Sequence, residues 1–296
     1  MNDTATDLRR MLASLDLFRE CIDYTAKQTG FRRELVEKDF YCSMFLNHFS
    51  AQFPSSVVFK GGTCLSKVYT DFYRLSEDLD FTIPLPVDTR RAERRKQIEP
   101  VKKVCEHLTK ELPGIFELEP LLGANKSTQY IGTWGYRSVI SGTTDRVKVE
   151  FGLREPCLVP AQNQKADTLL QNAVTGAGLV PPFRINVMAL PEIWAEKTRA
   201  ALCRLEPAIR DFFDLDYARL NMNLNLQDAT LVGMVRRKLA VPSNGPVNLS
   251  ADRRIQLEKQ IEGQLRPVLR TRDFEHFNLD RIWATLVALA DRLKEV

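Results

Sequence analysis

The sequence predicts an α+β chain: a mixed-sheet domain with leading helices over residues 1–185, then an all-helical C-terminal domain over 186–296. Three observations predict it. Strand-like apolar patterning is confined to the middle of the chain, between residues 57 and 190. The stretches before and after it repeat apolar residues at helical spacing. Composition shifts near residue 185, just past a loop carrying Gly176, Gly178 and the Pro181–Pro182 pair. A chain of 296 residues is long enough to give each part its own core.

In order, residues 7–29 place Leu8, Met11, Leu12, Leu15, Phe18 and Ile22 on one helical stripe, and Gly30 stops it. A second helix over 32–49 carries Val36, Phe40, Phe45 and Leu46. VVF at 57–59 reads as a short buried strand, and LDFTI at 79–83 alternates as another before Pro84 and Pro86 end it. Residues 88–112 make a charged helix with Ile98, Val101, Val104, Cys105 and Leu108 on its apolar side. STQYIGTWGYRSVI (127–140) and RVKVEFGLRE (146–155) form a hairpin around the turn residues SGTTD. INVMAL (185–190) follows the Gly/Pro loop, and from Pro191 five helices are expected at 191–205, 208–221, 227–240, 250–265 and 279–295.

Composition narrows the function classes. Six cysteines lie scattered with no C-x-x-C pair, as expected for free core thiols in a reducing compartment. Three histidines far apart argue against a zinc cluster. No apolar run reaches membrane-spanning length and the N-terminus MNDTATDLRR has no apolar core, so a cytoplasmic protein with no membrane partner is expected. The formal net charge of +4 permits a nucleic-acid or nucleotide partner without demanding one.

The chemistry concentrates in VVFKGGTCLSKVYTDFYRLSEDLDFTI, residues 57–83. In a strand, residues i and i+2 share a face, so Asp78 and Asp80 point together while Leu79, Phe81 and Ile83 point into the core. Carboxylates that close repel unless a cation or shared proton intervenes, and Mg2+ commonly rides on one or two carboxylates plus substrate phosphates. If RVKVEFGL neighbours that strand, Glu150 completes a three-carboxylate metal site. Upstream, Gly61 and Gly62 open a helix with Thr63 as its N-cap, where backbone can approach a phosphate closely. The spacing is neither a Walker A loop nor G-x-G-x-x-G.

FKGGTCLSKVY…RLSEDLDF resembles the AbiEii/MenT-type nucleotidyltransferase toxin family, within the polymerase-beta-like superfamily. VEKDF (36–40), VKVEFGLRE (147–155), LPEIWAEKTRAALCR (190–204) and RDFFDL (210–215) match further family segments, so the likeness spans most of the chain. The resemblance implies a polymerase-beta-like sheet domain and a catalytic set of Asp78, Asp80, Lys197 and Asp211. Asp78 and Asp80 would hold Mg2+, and Lys197 would contact the nucleotide phosphates. Gly61, Gly62, Thr63, Ser66 and Lys67 would form the nucleotide-binding stretch, and Asp211 would join the set from the helical domain. It further implies transfer from an NTP to the 3′ end of tRNA, growth arrest as part of abortive phage defence, and a cognate antitoxin partner.

From the residues alone, Lys197 reads first as a solvated charge, and Asp211 equally as helix-terminal capping. RRAERRK (90–96) and the basic residues from Arg253 to Arg272 would track an RNA backbone if both line one cleft, and otherwise are solvated faces. Two other readings are a nucleotidyltransferase acting on a protein or small-molecule hydroxyl, and a catalytically silent partner-binding module.

Overall fold

The structure, a computed structural model, describes residue 12 and residues 14–242 and 244–294. Leu8 and Met11 of the first predicted helix, and residue 295 of the last, lie outside the described residues. The chain forms two compact units, Met1–Pro156 with Ala161–Met188, and Cys157–Pro160 with Ala189–Val296.

In the first unit, helices α1 (Leu15–Thr29) and α2 (Arg33–Gln52) precede a seven-stranded mixed sheet. Its strands are β1 (Val58–Lys60), β2 (Asp78–Thr82), β3 (Ile115–Ala124), β4 (Gln129–Arg137), β5 (Thr144–Gly152), β6 (Gln162–Ala166) and β7 (Phe183–Val187), in the order β3-β4-β5-β2-β1-β7-β6. The pairs β2–β5 and β1–β7 are parallel; β1–β2, β3–β4, β4–β5 and β6–β7 are antiparallel. One face is the core: Phe81 stacks on Phe151 at 5.1 Å, and Phe49 and Phe53 meet Phe81 edge-on. Helix α4 (Arg91–Glu111) packs on that same face, with Lys102 over the ring of Tyr130, the register partner of Phe151.

Most expected elements form close to their predicted ends; the exceptions are the first helix, expected from residue 7 but beginning at Leu15 after the non-helical Ser14, and the two sheet edges. Strand β3 was not predicted because Pro120 and Gly123 break the alternation, and two register shifts let an edge absorb them. Strand β6, QNQKA, is polar and offers no alternation at all. Helix α3 (Gly61–Cys64) continues as a π-turn, Leu65–Tyr69, closed by Asp71 and Phe72 at positive φ. Lys60 occupies the N-cap position, so the expectation for Thr63 is corrected: its hydroxyl lies inside the helix and donates to the Asp78 carbonyl.

Three consecutive charges of α2 anchor it to the rest of the unit. The Glu37 carboxylate accepts from Ser138 Oγ and Val139 N, Lys38 donates to Asp145, and Asp39 pairs with Lys67. Burial raises the Glu37 carboxyl above its ordinary value, with these hydrogen bonds opposing it.

The second unit contains α5 (Leu190–Cys203), α6 (Ile209–Asn221), α7 (Ala229–Leu239), α8 (Ala251–Gln260), the short α9 (Thr271–Glu275) and α10 (Leu279–Lys294). A buried triad ties it together: Lys238 pairs with Glu192 at 2.6 Å and Glu196 at 3.1 Å, while Glu192 Oε2 accepts from the backbone N–H groups of Leu158 and Val159. Among the described residues, no helix is long and apolar enough to cross a membrane.

Candidate active site on the open face of the sheet

Strand register arranges the other face of the sheet in rows. One row runs Phe116, Gly135, Arg146; the next Glu119, Thr133, Lys148, Asp78; the next Leu122, Ile131, Glu150, Asp80, Lys60. Alternation that sends Leu79, Phe81, Val149 and Phe151 inward therefore lines the carboxylates and their basic neighbours on a single side. Asp78, Asp80 and Glu150 are all half-buried.

The double glycine belongs to the same construction. Gly61 sits at φ +79°, and a Cβ there would collide with Asp80 Oδ2. A Cβ at Gly62 would come within 2.5 Å of the Arg74 guanidinium. Arg74 is buried, donates to the Leu75 carbonyl and receives a hydrogen bond at its own carbonyl from Ser66 Oγ. Glycine at 61 thus permits both the left-handed turn and the approach of a carboxylate to the first turn of α3.

Of the expected nucleotide contacts, the structure sets Gly61 against the Asp80 carboxylate and Gly62 beside the Arg74 guanidinium, but directs three side chains elsewhere. The Thr63 and Ser66 hydroxyls donate to the backbone carbonyls of Asp78 and Arg74 and are buried. Lys67 departs from the expectation outright. Its ammonium is fully buried, 2.6 Å from Asp39 Oδ1 and 2.8 Å from Ser43 Oγ, so the π-turn faces it into the core rather than toward a phosphate.

The three-carboxylate expectation is corrected as well. Glu150 does lie in register with Asp80 on the neighbouring strand, but its oxygens accept from Gln129 Nε2 at 2.7 Å and Lys148 Nζ at 3.3 Å. Among the described residues, no group of three His, Cys, Asp or Glu side chains is placed to hold a metal alone. Two hard carboxylates on one face do fit Mg2+ carried in with substrate phosphates, which supply the remaining oxygens.

In the helical unit, Lys197 lies 2.8 Å from Asp211 Oδ1 and 2.8 Å from Asp214 Oδ2, and Arg204 reaches Asp211 Oδ2 at 3.3 Å. Burial pushes the Asp211 carboxyl up, but Lys197 and Arg204 outweigh it and hold the group below its ordinary value. Helix α5 presents Lys197 and α6 presents Asp211 and Asp214 one turn apart, so the two sequence segments meet as one cluster.

The family described as "Nucleotidyl transferase AbiEii toxin, Type IV TA system" has a sequence model that matches residues 45–293. The chain belongs to that family. Two Helicobacter pylori crystal structures share the AbiEii chain's fold. JHP933 is 14% identical with a TM-score of 0.50, over 90% of this chain and 94% of that one. A proposed nucleotidyltransferase is 14% identical with a TM-score of 0.51, over 90% and 96%. At that identity the likeness concerns fold alone. No curated protein matches the sequence significantly.

Membership makes this AbiEii chain a nucleotidyltransferase of a type IV toxin–antitoxin system. Sequence reasoning missed Asp214, Arg204 and Arg74. RDFFDL carries Asp214 one helical turn after Asp211, which was signal enough; nothing local signalled that Arg74 would be buried beside Gly62.

Each basic stretch is partly taken up within its own unit. RRAERRK opens α4, on the core side of the sheet and away from the carboxylates, and its Arg94 is buried, donating to the Leu153 and Val87 carbonyls. In the C-terminal stretch Arg253 donates to the Arg204 and Ala201 carbonyls. Arg254, Arg266 and Arg270 pair with Glu258, Glu262 and Asp273.

Proposed function

We propose that this AbiEii chain transfers nucleotides from an NTP to the 3′ end of tRNA in the cytoplasm, with Mg2+, and so arrests growth until its cognate antitoxin intervenes. The observation that supports it most is the contact of Asp80 with the Gly61 backbone. It joins Asp80 to a glycine turn whose backbone can approach a phosphate. Asp78 and Asp80 would hold Mg2+, which when bound would supply neutralisation of phosphate charge.

The chain's own residues do the rest. Gly61 and Gly62 let the triphosphate close on the first turn of α3. Thr63 and Ser66 act from behind that turn, fixing it to the Asp78 and Arg74 carbonyls. Lys197 toward the phosphates and Asp211 in the catalytic set remain part of the proposal. Their union in one ion-pair cluster supports treating them as one group.

The test is incubation of the protein with each labelled NTP, Mg2+ and total cell RNA or lysate. Label is expected on RNA of tRNA size, and expression is expected to arrest growth, with Asp80→Ala abolishing both. Label confined to protein or to a small molecule would replace the tRNA reading with the other acceptor class. Arrest that survives Asp80→Ala would leave the toxicity without an enzymatic origin.

A further inference from the structure

The rows that carry Asp78 and Asp80 do not stop at the carboxylates. They continue across β5 and β4 to the edge strand β3, and the surface changes character along the way. On β5 and β4 the open face bears Lys148, Arg146 and Arg137, the two arginines exposed. On β3, Phe116, Leu118 and Leu122 are 40%, 44% and 65% exposed. Phe116 lies across β4 because its row partner is Gly135; a Cβ at that glycine would sit 2.5 Å from the Phe116 ring. The acidic groups on this stretch are Glu119, which accepts from Thr133 Oγ1, and Glu150, which accepts from Gln129 and is paired with Lys148, so Arg146 and Arg137 are the cations presented to solvent.

A basic column beside an exposed aromatic and apolar shelf is the combination by which proteins hold single-stranded nucleic acid. Cations track the backbone while bases stack on the ring. RRAERRK lies behind the sheet, and within its own unit much of the C-terminal basic stretch is engaged in hydrogen bonds and ion pairs.

We infer that the open face of β5, β4 and β3 is the track for the acceptor, a single-stranded RNA 3′ end. The terminal hydroxyl lies toward Asp78 and Asp80, the preceding phosphate lies against Arg146, and a base rests on Phe116. From β2 to β3 is three strand spacings, about 14 Å, a run of a few nucleotides. The inference rests on the transferase reading above and adds where its acceptor is held.

The experiment is fluorescence anisotropy of the full chain with a labelled oligoribonucleotide across a salt series, beside NTP binding and transfer. Arg146→Glu is expected to weaken RNA binding about tenfold or more and to flatten the dependence of log K on log salt. Phe116→Ala is expected to weaken it about fivefold or more, the loss of one base stack. NTP affinity should stay unchanged in both, and Arg95→Glu, on α4 behind the sheet, should leave RNA affinity unchanged.

Equal RNA affinity in wild type, Arg146→Glu and Phe116→Ala overturns the track even if Asp80→Ala abolishes transfer, in which case the active-site reading stands alone. Loss of RNA binding in both variants, with no transfer from any NTP in wild type, keeps the track and overturns the transferase reading. Unchanged RNA binding with lost capture of the neighbouring antitoxin would make this face a protein interface and overturn the proposal.

Discussion

Two charge clusters of this protein, one in each unit, handle their carboxylates in opposite ways. On the sheet, Asp78 and Asp80 stand side by side on one face, half-buried, with the Gly61 backbone against one of them. In the helical unit, Asp211 and Asp214 are buried and share one ammonium, with Arg204 added from the rim. Like charges held together on an accessible face leave room for a cation that arrives with substrate. Like charges buried together must bring their cation from the chain itself, because desolvation makes an unpaired one too costly. The first arrangement is suited to turnover, whereas the second adds to the fold whatever else it does.

Substitutions can break that contrast. Asp80→Ala should abolish transfer and leave the unfolding transition close to wild type, read by a thermal melt. Gly61→Ala should come close to it in activity by displacing the Asp80 carboxylate, at a cost of about 1–3 kcal/mol for the left-handed backbone, read by denaturant titration. Lys197→Met should do the reverse of Asp80→Ala in stability, costing about 3–5 kcal/mol by stranding two buried carboxylates. Adding Asp214→Asn should recover part of that loss, which a purely catalytic lysine would not predict.

Smaller effects sharpen the comparison. Glu37 is raised from 4.5, so its contribution is fully present below about pH 4.5 and is lost as pH rises through the folded value. Asp211 is lowered from 3.8, so its contribution is present above pH 3.8 and lost as pH falls through the folded value. Stability measured against pH should therefore lose the part of its decline that begins above about pH 4.5 in Glu37→Gln and part of its acid-going decline in Asp211→Asn. Smallest of all, Glu150→Gln should change stability by less than about 1 kcal/mol, its pair with Lys148 being partly exposed. It should also leave the Mg2+ dependence of transfer near wild type.

Much of this was legible in the sequence, and what was not had physical reasons. Period-two alternation in LDFTI and VKVEF announces which side chains share a face, and the register then brings Asp80 opposite Glu150 as expected. Alternation says nothing about competition for a carboxylate, so the claims of Gln129 and Lys148 on Glu150 were invisible. Lys67 was misread because a π-turn rotates it off the α-helical face, and its partner Asp39 lies in a helix far upstream. The edges β3 and β6 escaped because an edge strand tolerates proline and polarity that a central strand does not.

The anchoring of α2 bears on how the chain comes off the ribosome. Glu37 and Lys38 emerge early, yet their partners Ser138 and Asp145 follow 101 and 107 residues later. Strand β1 likewise waits for β7, at Phe183–Val187, to cover its second edge. For most of its synthesis the sheet unit is a set of unsatisfied charges and an open strand edge, the condition in which nascent chains associate wrongly. The unit becomes self-sufficient only when its last strand is made, so a truncated product ending before β7 is expected to aggregate rather than to persist as a partial enzyme.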